Sequence, residues 1–244
     1  MTDVRTGTHA DALKEQGCTH STLASVLGAG FTSTPEWHRF ADSWNRLGQD
    51  GYMADGGTYR ERRYSEFSYD TTGTADAALR QLPHVPYSQS LEVNYLNGGI
   101  DRHFEPFEPE VAEGTVLRSV FQWCAETLLA AAGPGTWHIQ TFQNRILAKG
   151  GEQGRPTPEG LHRDGVDFVL TLLVRRNSVE GGVSSVYGAT SRELVAEVLL
   201  TEPGEFLFAD DRTMLHSVTP LTPETPGGEG HRDVLIAMFT RTEA

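Results

Sequence analysis

The feature that most constrains the fold is a series of short, β-rich runs separated by turn residues, which fills the second half of the chain. The runs occupy residues 137–149, 168–176, 181–188, 193–200, 204–210, 215–221 and 232–242. Short strands at regular spacing are typical of an antiparallel sandwich or barrel. We therefore expect a β-sandwich core of the jelly-roll or cupin type over residues 137–244.

The preceding part of the chain, residues 23–136, favours helices and loops. A helix is predicted over 34–48, because Thr34 is a good N-cap and Pro35 suits the first helical position. A second helix is predicted over 110–133, where buried-type residues form one stripe. The stripe consists of Leu117, Val120, Phe121, Cys124 and Leu128. The expected fold class is α+β, with these helices packed on the sandwich.

Residues 1–22 are polar and weakly patterned, which predicts a loose arm or a short helix. No linker rich in Pro, Gly or Ser, no internal repeat and no low-complexity segment divides the remainder of the sequence. We therefore expect a single domain over residues 23–244.

The composition excludes several classes of protein. A formal net charge of −13 argues against a nucleic-acid partner, because phosphate binding needs a basic surface. Cys18 and Cys124 lie far apart in sequence and form no CxxC pair, which fits a reducing compartment. No apolar run resembles a signal peptide or a membrane span. We expect a cytoplasmic protein without a membrane partner, either a monomer or a homodimer.

The sequence LHRD places His162 and Asp164 two residues apart, just before a strand-like run. Residues i and i+2 of an extended segment point to the same face, so both side chains can reach one ion. His216, at the start of a later strand, offers a third ligand. Two imidazoles and one carboxylate form the ligand set of non-haem Fe(II) oxygenases, which leaves positions open for a cosubstrate and O2.

A polar turn at the mouth of a strand is the simpler interpretation, because His-x-Asp alone is a weak metal signal. Arg232 favours the metal site. It stands at the entry to the last strand, where a buried guanidinium is costly unless it binds a carboxylate such as that of 2-oxoglutarate. The alternative for Arg232 is an ion pair with one of three aspartates: Asp210, Asp211 or Asp233.

The segments GRPTPEGLHRDGVDFV, LHSVTPL and HRDVLIAMF together resemble the bacterial 2-oxoglutarate/Fe(II) dioxygenases of the isoleucine-dioxygenase family, which hydroxylate free aliphatic L-amino acids. The resemblance extends upstream to LPHVPYSQSLEVNYLNGGIDRHFEP and FQNR, and covers the chain from about Arg60 to Arg241. It implies a double-stranded β-helix, a jelly roll, in agreement with the strand pattern.

On the matching positions, the resemblance implies that His162, Asp164 and His216 bind Fe(II) and that Arg232 binds the far carboxylate of 2-oxoglutarate. It also implies O2 as cosubstrate, succinate and CO2 as products, and ascorbate as a reductant in vitro. Related halogenases lack the carboxylate ligand, so Asp164 favours hydroxylation over chlorination. Desaturation and sulfoxidation by the same chemistry stay open.

A free amino acid needs one partner for its carboxylate, another for its ammonium, and an apolar slot for its side chain. Arg145 is a candidate for a carboxylate of either the cosubstrate or the substrate. Other candidates for substrate contacts are Asp167, Arg102, Gln143, Phe104 and Tyr187. A structural salt bridge is an equally open role for Arg145, Asp167 and Arg102. A more polar substrate would find partners in Gln89, Asn94 and Asn144.

Three other functions remain open at this point. The same chemistry could act on another amino acid or on a natural-product intermediate. A cupin-like module could bind metal without turnover, although such a module has no need for Arg232. A structural sandwich, in which the polar groups pair only with each other, predicts no metal at all.

Overall fold

The computed structural model describes residues 8–73, 79–92, 96 and 98–242. Its helices are α1 (His9–Gln16), α2 (Leu23–Leu27), α3 (Pro35–Asp42), α4 (Pro109–Ala112) and α5 (Thr115–Ala132), with 3-10 helices at Phe31–Ser33 and Ser43–Arg46. The helix predicted over 34–48 is present as α3 and the 3-10 helix that follows it. No helix in the described ranges combines the length and apolar character needed to cross a membrane.

The strands contain more residues than the helices. They are β1 (Cys18–Thr22), β2 (Gly48–Gln49), β3 (Arg60–Asp70), β4 (Leu79–Gln81), β5 (Thr136–Lys149), β6 (Phe168–Asn177), β7 (Val179–Gly181), β8 (Val183–Gly188), β9 (Leu194–Leu199), β10 (Glu205–Asp210), β11 (Met214–Val218), β12 (Leu221–Pro223) and β13 (Glu229–Thr242). Every run predicted in the second half forms a strand, at β5, β6, β8, β9, β10, β11 and β13. The sequence did not indicate β1 to β4, β7 or β12.

The strands form a sandwich of one large sheet and two small ones. The large antiparallel sheet has the order β1-β10-β6-β13-β5-β3-β2, with β4 paired to β3. The sheet β11-β8-β9 faces it, because Val186 of β8 shares a buried cluster with Val169 and Leu207. The pair β12-β7 does the same through Leu221, which clusters with Ile146. This arrangement confirms the predicted α+β jelly roll.

The large sheet has one face for the helices and another for the cavity between the sheets. Successive residues of a strand point to opposite faces. On β13, Leu235 and Phe239 join the cluster that includes the helices, whereas Arg232 and Met238 border the cavity. This alternation decides which polar side chains of the central strands can reach the cavity.

The apolar stripe predicted on the second helix lies in the core on the helical side of the sheet. Its residues are all fully buried: Leu117, Val120, Phe121, Cys124 and Leu128. The ring of Phe121 lies edge-on to Phe67 of β3 and Phe239 of β13, with centroid distances of 5.5 and 6.2 Å. The stripe therefore fixes α5 on β3 and β13, the two strands on either side of β5.

Phe121→Ala is expected to lower the free energy of unfolding by about 3–5 kcal/mol, because it leaves a cavity between α5 and the sheet. Urea unfolding followed by circular dichroism measures the change. Leu129→Ala on the same helix is the control, because Leu129 is 41% exposed and a surface truncation costs roughly 0.5 kcal/mol. Equal losses in the two variants would contradict the core position of Phe121.

The second helix is interrupted, contrary to the prediction of one helix over 110–133. α4 ends at Ala112, and α5 begins at Thr115 after Gly114, whose backbone is extended (φ −67°, ψ 151°). A Cβ at Gly114 would lie 2.6 Å from the carbonyl oxygen of Glu110. The tight break therefore requires glycine at position 114. The helical pattern of the sequence continues across this position although the backbone there is not helical.

For residues 1–22 the sequence predicted a loose arm or a short helix, and the described part contains the short helix α1 followed by the strand β1. Thr8 caps α1 in a capping box with Asp11. β1 then pairs with β10 from Cys18 to Thr22 along the edge of the large sheet. The sequence CTHST has no clear alternation of apolar and polar residues, so its partner strand, rather than its own pattern, gives it order.

The sequence predicted a sandwich confined to residues 137–244, but the sandwich also includes strands from the first half of the chain. β3, from the part predicted as helix and loop, pairs with β5 over its whole length, from Arg60 to Asp70. The charged residues of RERRYSEFSYD obscure the strand pattern in the sequence. Several of them point into the cavity or into the interface with the helices instead of into solvent. The first half therefore supplies one wall of the cavity.

Candidate active site

The predicted metal ligands meet at one end of the cavity between the sheets. His162 lies in the loop before β6 and His216 lies on β11, and their backbones exchange two hydrogen bonds of 3.0 and 2.9 Å. Asp164 reaches both rings: its carboxylate oxygens lie 3.7 Å from Nε2 of His162 and 3.4 Å from Nε2 of His216. One ligand atom from each of the three side chains lies within 4.8 Å of the others. This geometry suits a single metal ion.

The electrostatics of the cluster favour a cation. Burial opposes ionisation of Asp164, but hydrogen bonds and attraction from His162 and His216 outweigh it and hold the pKa of this carboxyl well below its usual range. Burial likewise opposes charge on His162, yet Asp164 and Glu159 raise the pKa of this imidazole to about 9. The carboxylate is thus ionised and attracts positive charge, which a divalent ion supplies more strongly than an imidazolium does.

Asp211, which the sequence suggested only as a partner for Arg232, organises the ligand loop. Its carboxylate accepts the backbone N–H groups of Asp164, Gly165 and Val166 at 3.0, 2.8 and 3.1 Å. The same carboxylate lies 3.8 Å from Nδ1 of His216. Gly165 adopts a positive φ of 78°, which turns the chain sharply after the aspartate ligand. Asp211 therefore positions two of the three predicted ligands.

Asp211→Asn is expected to weaken Fe(II) binding by about 10- to 100-fold, because an amide NH2 would face the backbone N–H groups that the carboxylate now accepts. Anaerobic competition with an Fe(II) chelator measures this without turnover. Asp210→Asn is the matched control, since Asp210 pairs with Arg212 at 2.9 and 2.7 Å and not with the ligand loop. Unchanged iron affinity in Asp211→Asn would remove the positioning role.

Arg232 lies in the same cavity and is 2% exposed. Its Nε and Nη2 atoms are buried without a hydrogen-bond partner, and no carboxylate among the described residues forms an ion pair with it. The aspartates proposed as alternatives are engaged elsewhere: Asp210 with Arg212, and Asp233 with Arg145. Burial and nearby Arg176 lower the pKa of Arg232 to about 10. A guanidinium in this position needs an anionic ligand.

The predicted cavity contacts of Arg145 and Gln143 are wrong. Arg145 binds Asp233 with two hydrogen bonds of 2.7 and 2.8 Å, and Gln143 donates to Ser43 at 2.6 Å. Both residues are odd-numbered positions of β5 and point to the helical face, whereas the even-numbered Asn144 borders the cavity. Arg145 therefore forms a structural ion pair between β5 and β13, which is the alternative role that the sequence left open.

The predicted contacts of Asp167, Phe104 and Tyr187 are also not present. Asp167 accepts the backbone N–H of Arg241 at 2.7 Å, and Phe104 packs behind the cavity against Phe142. Tyr187 neighbours Val186 on β8 and points to the opposite side of that strand. None of the three borders the cavity. Tyr187 lies outside the cavity because of strand alternation, and Phe104 does so because it packs behind Phe142.

Arg102 borders the cavity, and so do Gln89 and Asn144. Asn94 lies outside the described residues. Four further polar residues that the sequence pattern did not single out line the same space: Arg60, Arg62, Tyr87 and Glu159. The alternation in RERRYSEFSYD was the available signal, because it places Arg60, Arg62 and Tyr64 on one face.

A jelly roll whose cavity holds two histidines, one aspartate and an unpaired buried arginine defines the class of non-haem Fe(II) oxygenases. Comparison with known families agrees. The family model described as 2OG-Fe dioxygenase matches residues 41–238, and this chain belongs to that family. It is a dioxygenase that uses Fe(II), 2-oxoglutarate and O2 and acts on a small molecule.

Solved structures are similar to this chain over nearly its whole length. A bsmA homolog from Methylobium petroleophilum is 31% identical, with 97% of this chain and 94% of that chain covered and a TM-score of 0.84. IDO from Bacillus thuringiensis is 19% identical, with 96% and 98% covered and a TM-score of 0.76. The Fe(II)/α-ketoglutarate-dependent dioxygenase TqaL is 16% identical, with 96% and 86% covered and a TM-score of 0.75. IDO and TqaL share the fold of this chain. No curated protein matched significantly.

Proposed function

We propose that this dioxygenase hydroxylates a free aliphatic L-amino acid of the leucine, isoleucine or methionine type. In this proposal His162, Asp164 and His216 hold Fe(II), and Arg232 binds the distal carboxylate of 2-oxoglutarate. The observation that carries it is the cavity itself, in which the three ligand groups and a buried, unpaired guanidinium occur together.

The residues present fit both groups. The side chains of the triad supply two imidazoles and one carboxylate, the donor set that suits Fe(II) and leaves positions for other ligands. The unpartnered Nε and Nη2 of Arg232 supply a fork for a carboxylate. When bound, iron with 2-oxoglutarate supplies the oxidising power for cleavage of a C–H bond, with succinate and CO2 as products.

The chain's own residues determine which C–H bond is presented. Apolar side chains border the cavity that holds the triad: Val169, Val218, Ile236 and Met238. An aliphatic side chain matches this wall, because it brings no polar group that would need a buried partner. Glu159 lies 3.4 Å from Nε2 of His162 and offers a carboxylate for the ammonium group. IDO and TqaL have the same fold, which is compatible with this proposal.

A substrate screen tests the proposal. Protein loaded anaerobically with Fe(II) would be mixed with 2-oxoglutarate, ascorbate, air and each free L-amino acid in turn, and succinate and products would be read by mass spectrometry. A product heavier by one oxygen atom from leucine, isoleucine or methionine is the expected result. Succinate without such a product would move the same chemistry to another amino acid or to a natural-product intermediate. No succinate with any compound would favour a metal-binding module without turnover.

A further inference from the structure

A second group of arginines borders the cavity on the side of β3. Arg60, Arg62 and Arg102 are 5, 7 and 2% exposed. Asp50 lies behind them, with its Oδ2 atom 2.7 Å from Nε of Arg60 and 3.3 Å from Nε of Arg62. Within the described ranges, Asp50 is the one carboxylate in ion-pair distance of any of these three guanidinium groups. This buried group therefore contains three positive charges and one negative charge.

The hydrogen-bonding capacity of the same group is also incomplete. Nη2 of Arg60 and Nε of Arg102 are buried without a hydrogen-bond partner, and Nε of Arg62 lies 3.3 Å from Asp50 in an ion pair that includes no hydrogen bond. Burial, and then repulsion from Arg60, lower the pKa of Arg62 to about 9, although Asp50 opposes the change. Burial lowers the pKa of Arg102 as well. Buried guanidinium groups in this condition are stabilised by an anion that accepts their free N–H groups.

This group is separate from Arg232. Across the large sheet, Arg60 of β3 and Arg232 of β13 both pair with Ile146, which lies on β5 between them. Neighbouring strands are about 4.8 Å apart, so the two backbones are roughly 10 Å apart. One carboxylate bound at Arg232 leaves the arginines near β3 available to a second ligand.

Aromatic rings fix the planes of two of these guanidinium groups. Arg62 lies over the ring of Phe142, with its Cζ atom 4.6 Å from the centroid, and Arg102 lies over Tyr87 at the same distance. Arg102 also donates to Gln89 at 3.0 Å. Stacking restricts the side chains before a ligand arrives, which reduces the entropy lost on binding.

We propose that Arg62 and Arg102 bind the α-carboxylate of the amino-acid substrate, with Arg60 held in place by Asp50 as the third positive group of the site. This inference rests on the amino-acid substrate proposed above. It assigns the two carboxylate-bearing molecules of the reaction to opposite sides of the cavity: 2-oxoglutarate to Arg232, and the substrate to the β3 side.

Calorimetric titration of the anaerobic Fe(II)·2-oxoglutarate protein tests the site with two probes, L-leucine and its deaminated analogue 4-methylpentanoate. Arg62→Leu and Arg102→Leu are each expected to weaken binding of both probes by about 100-fold, the loss typical of a charge-assisted pair in a buried site. Binding of 2-oxoglutarate should stay within about twofold, which also shows that the variants are folded. Arg63→Leu is the matched control, because Arg63 is the neighbouring residue of β3 and donates to Pro106 at 2.7 Å outside the cavity.

Each other outcome has a defined meaning. If the wild type binds leucine and both variants bind it equally well, the arginine site is wrong and the proposed function stands. If the wild type binds 4-methylpentanoate but not leucine, and the variants lose it, the carboxylate site stands and the amino-acid substrate is wrong. Loss of 2-oxoglutarate affinity in Arg62→Leu would assign these arginines to the cosubstrate, and a wild type that binds neither probe would overturn both proposals.

Discussion

Asp164→Ala is expected to abolish hydroxylation and to lower Fe(II) affinity by roughly two to four orders of magnitude, the equivalent of about 3–5 kcal/mol for loss of one charged partner in a buried site. Asp164 is the one carboxylate of the triad, and its oxygens face both imidazoles at 3.7 and 3.4 Å. Its removal leaves two neutral ligands and no negative charge in contact with the ion. Anaerobic Fe(II) titration and succinate formation measure the two effects separately.

Asp167→Ala is the control for this experiment. Asp167 is three residues further along the chain, but its carboxylate accepts a backbone N–H from Arg241 and does not border the cavity. We expect it to keep iron affinity and activity. If Asp164→Ala binds iron as tightly as the wild type, the ligand set must include another carboxylate, and Glu159, 3.4 Å from Nε2 of His162, would be the first to test.

The part of the site that could be predicted is the part encoded locally. The alternation of an extended chain places His162 and Asp164 on one side of their segment, and this needs no knowledge of the fold. The strands of the second half also carry their own signals, in β-branched runs bounded by turn residues. His216 was predicted from its place beside a strand, and the structure supplies the reason: its backbone pairs directly with that of His162.

The predictions that were wrong concern which face of a strand lies against the helices and which lies against the cavity. Arg145 and Arg232 both stand in apolar strands, and the sequence offers no means to tell that β5 and β13 present odd-numbered residues to the helices and even-numbered residues to the cavity. That distinction depends on the register of the two strands, which pair Arg145 with Asp233. Arg60 and Arg62 were missed for the opposite reason, because their charge suggested a surface position.

Arg232→Leu is expected to raise the 2-oxoglutarate requirement by about 30- to 1000-fold, corresponding to the 2–4 kcal/mol of a lost charge-assisted pair. The stability of the protein without ligand should be unchanged or higher. Arg232 is buried without a partner, and replacing an uncompensated buried charge by an apolar side chain removes a cost of desolvation. The measurements are KM for 2-oxoglutarate and the free energy of unfolding in urea.

Arg145→Leu should give the opposite pair of results, which makes it the informative comparison. Arg145 neutralises Asp233, whose side chain is fully buried, so its loss leaves a buried carboxylate without its guanidinium partner. We expect a loss of about 3–5 kcal/mol in the free energy of unfolding, with KM for 2-oxoglutarate close to that of the wild type. If Arg145→Leu raised KM and Arg232→Leu did not, the cosubstrate would lie on the helical side of the sheet, and the cavity that unites the triad with Arg232 would lose its assigned role.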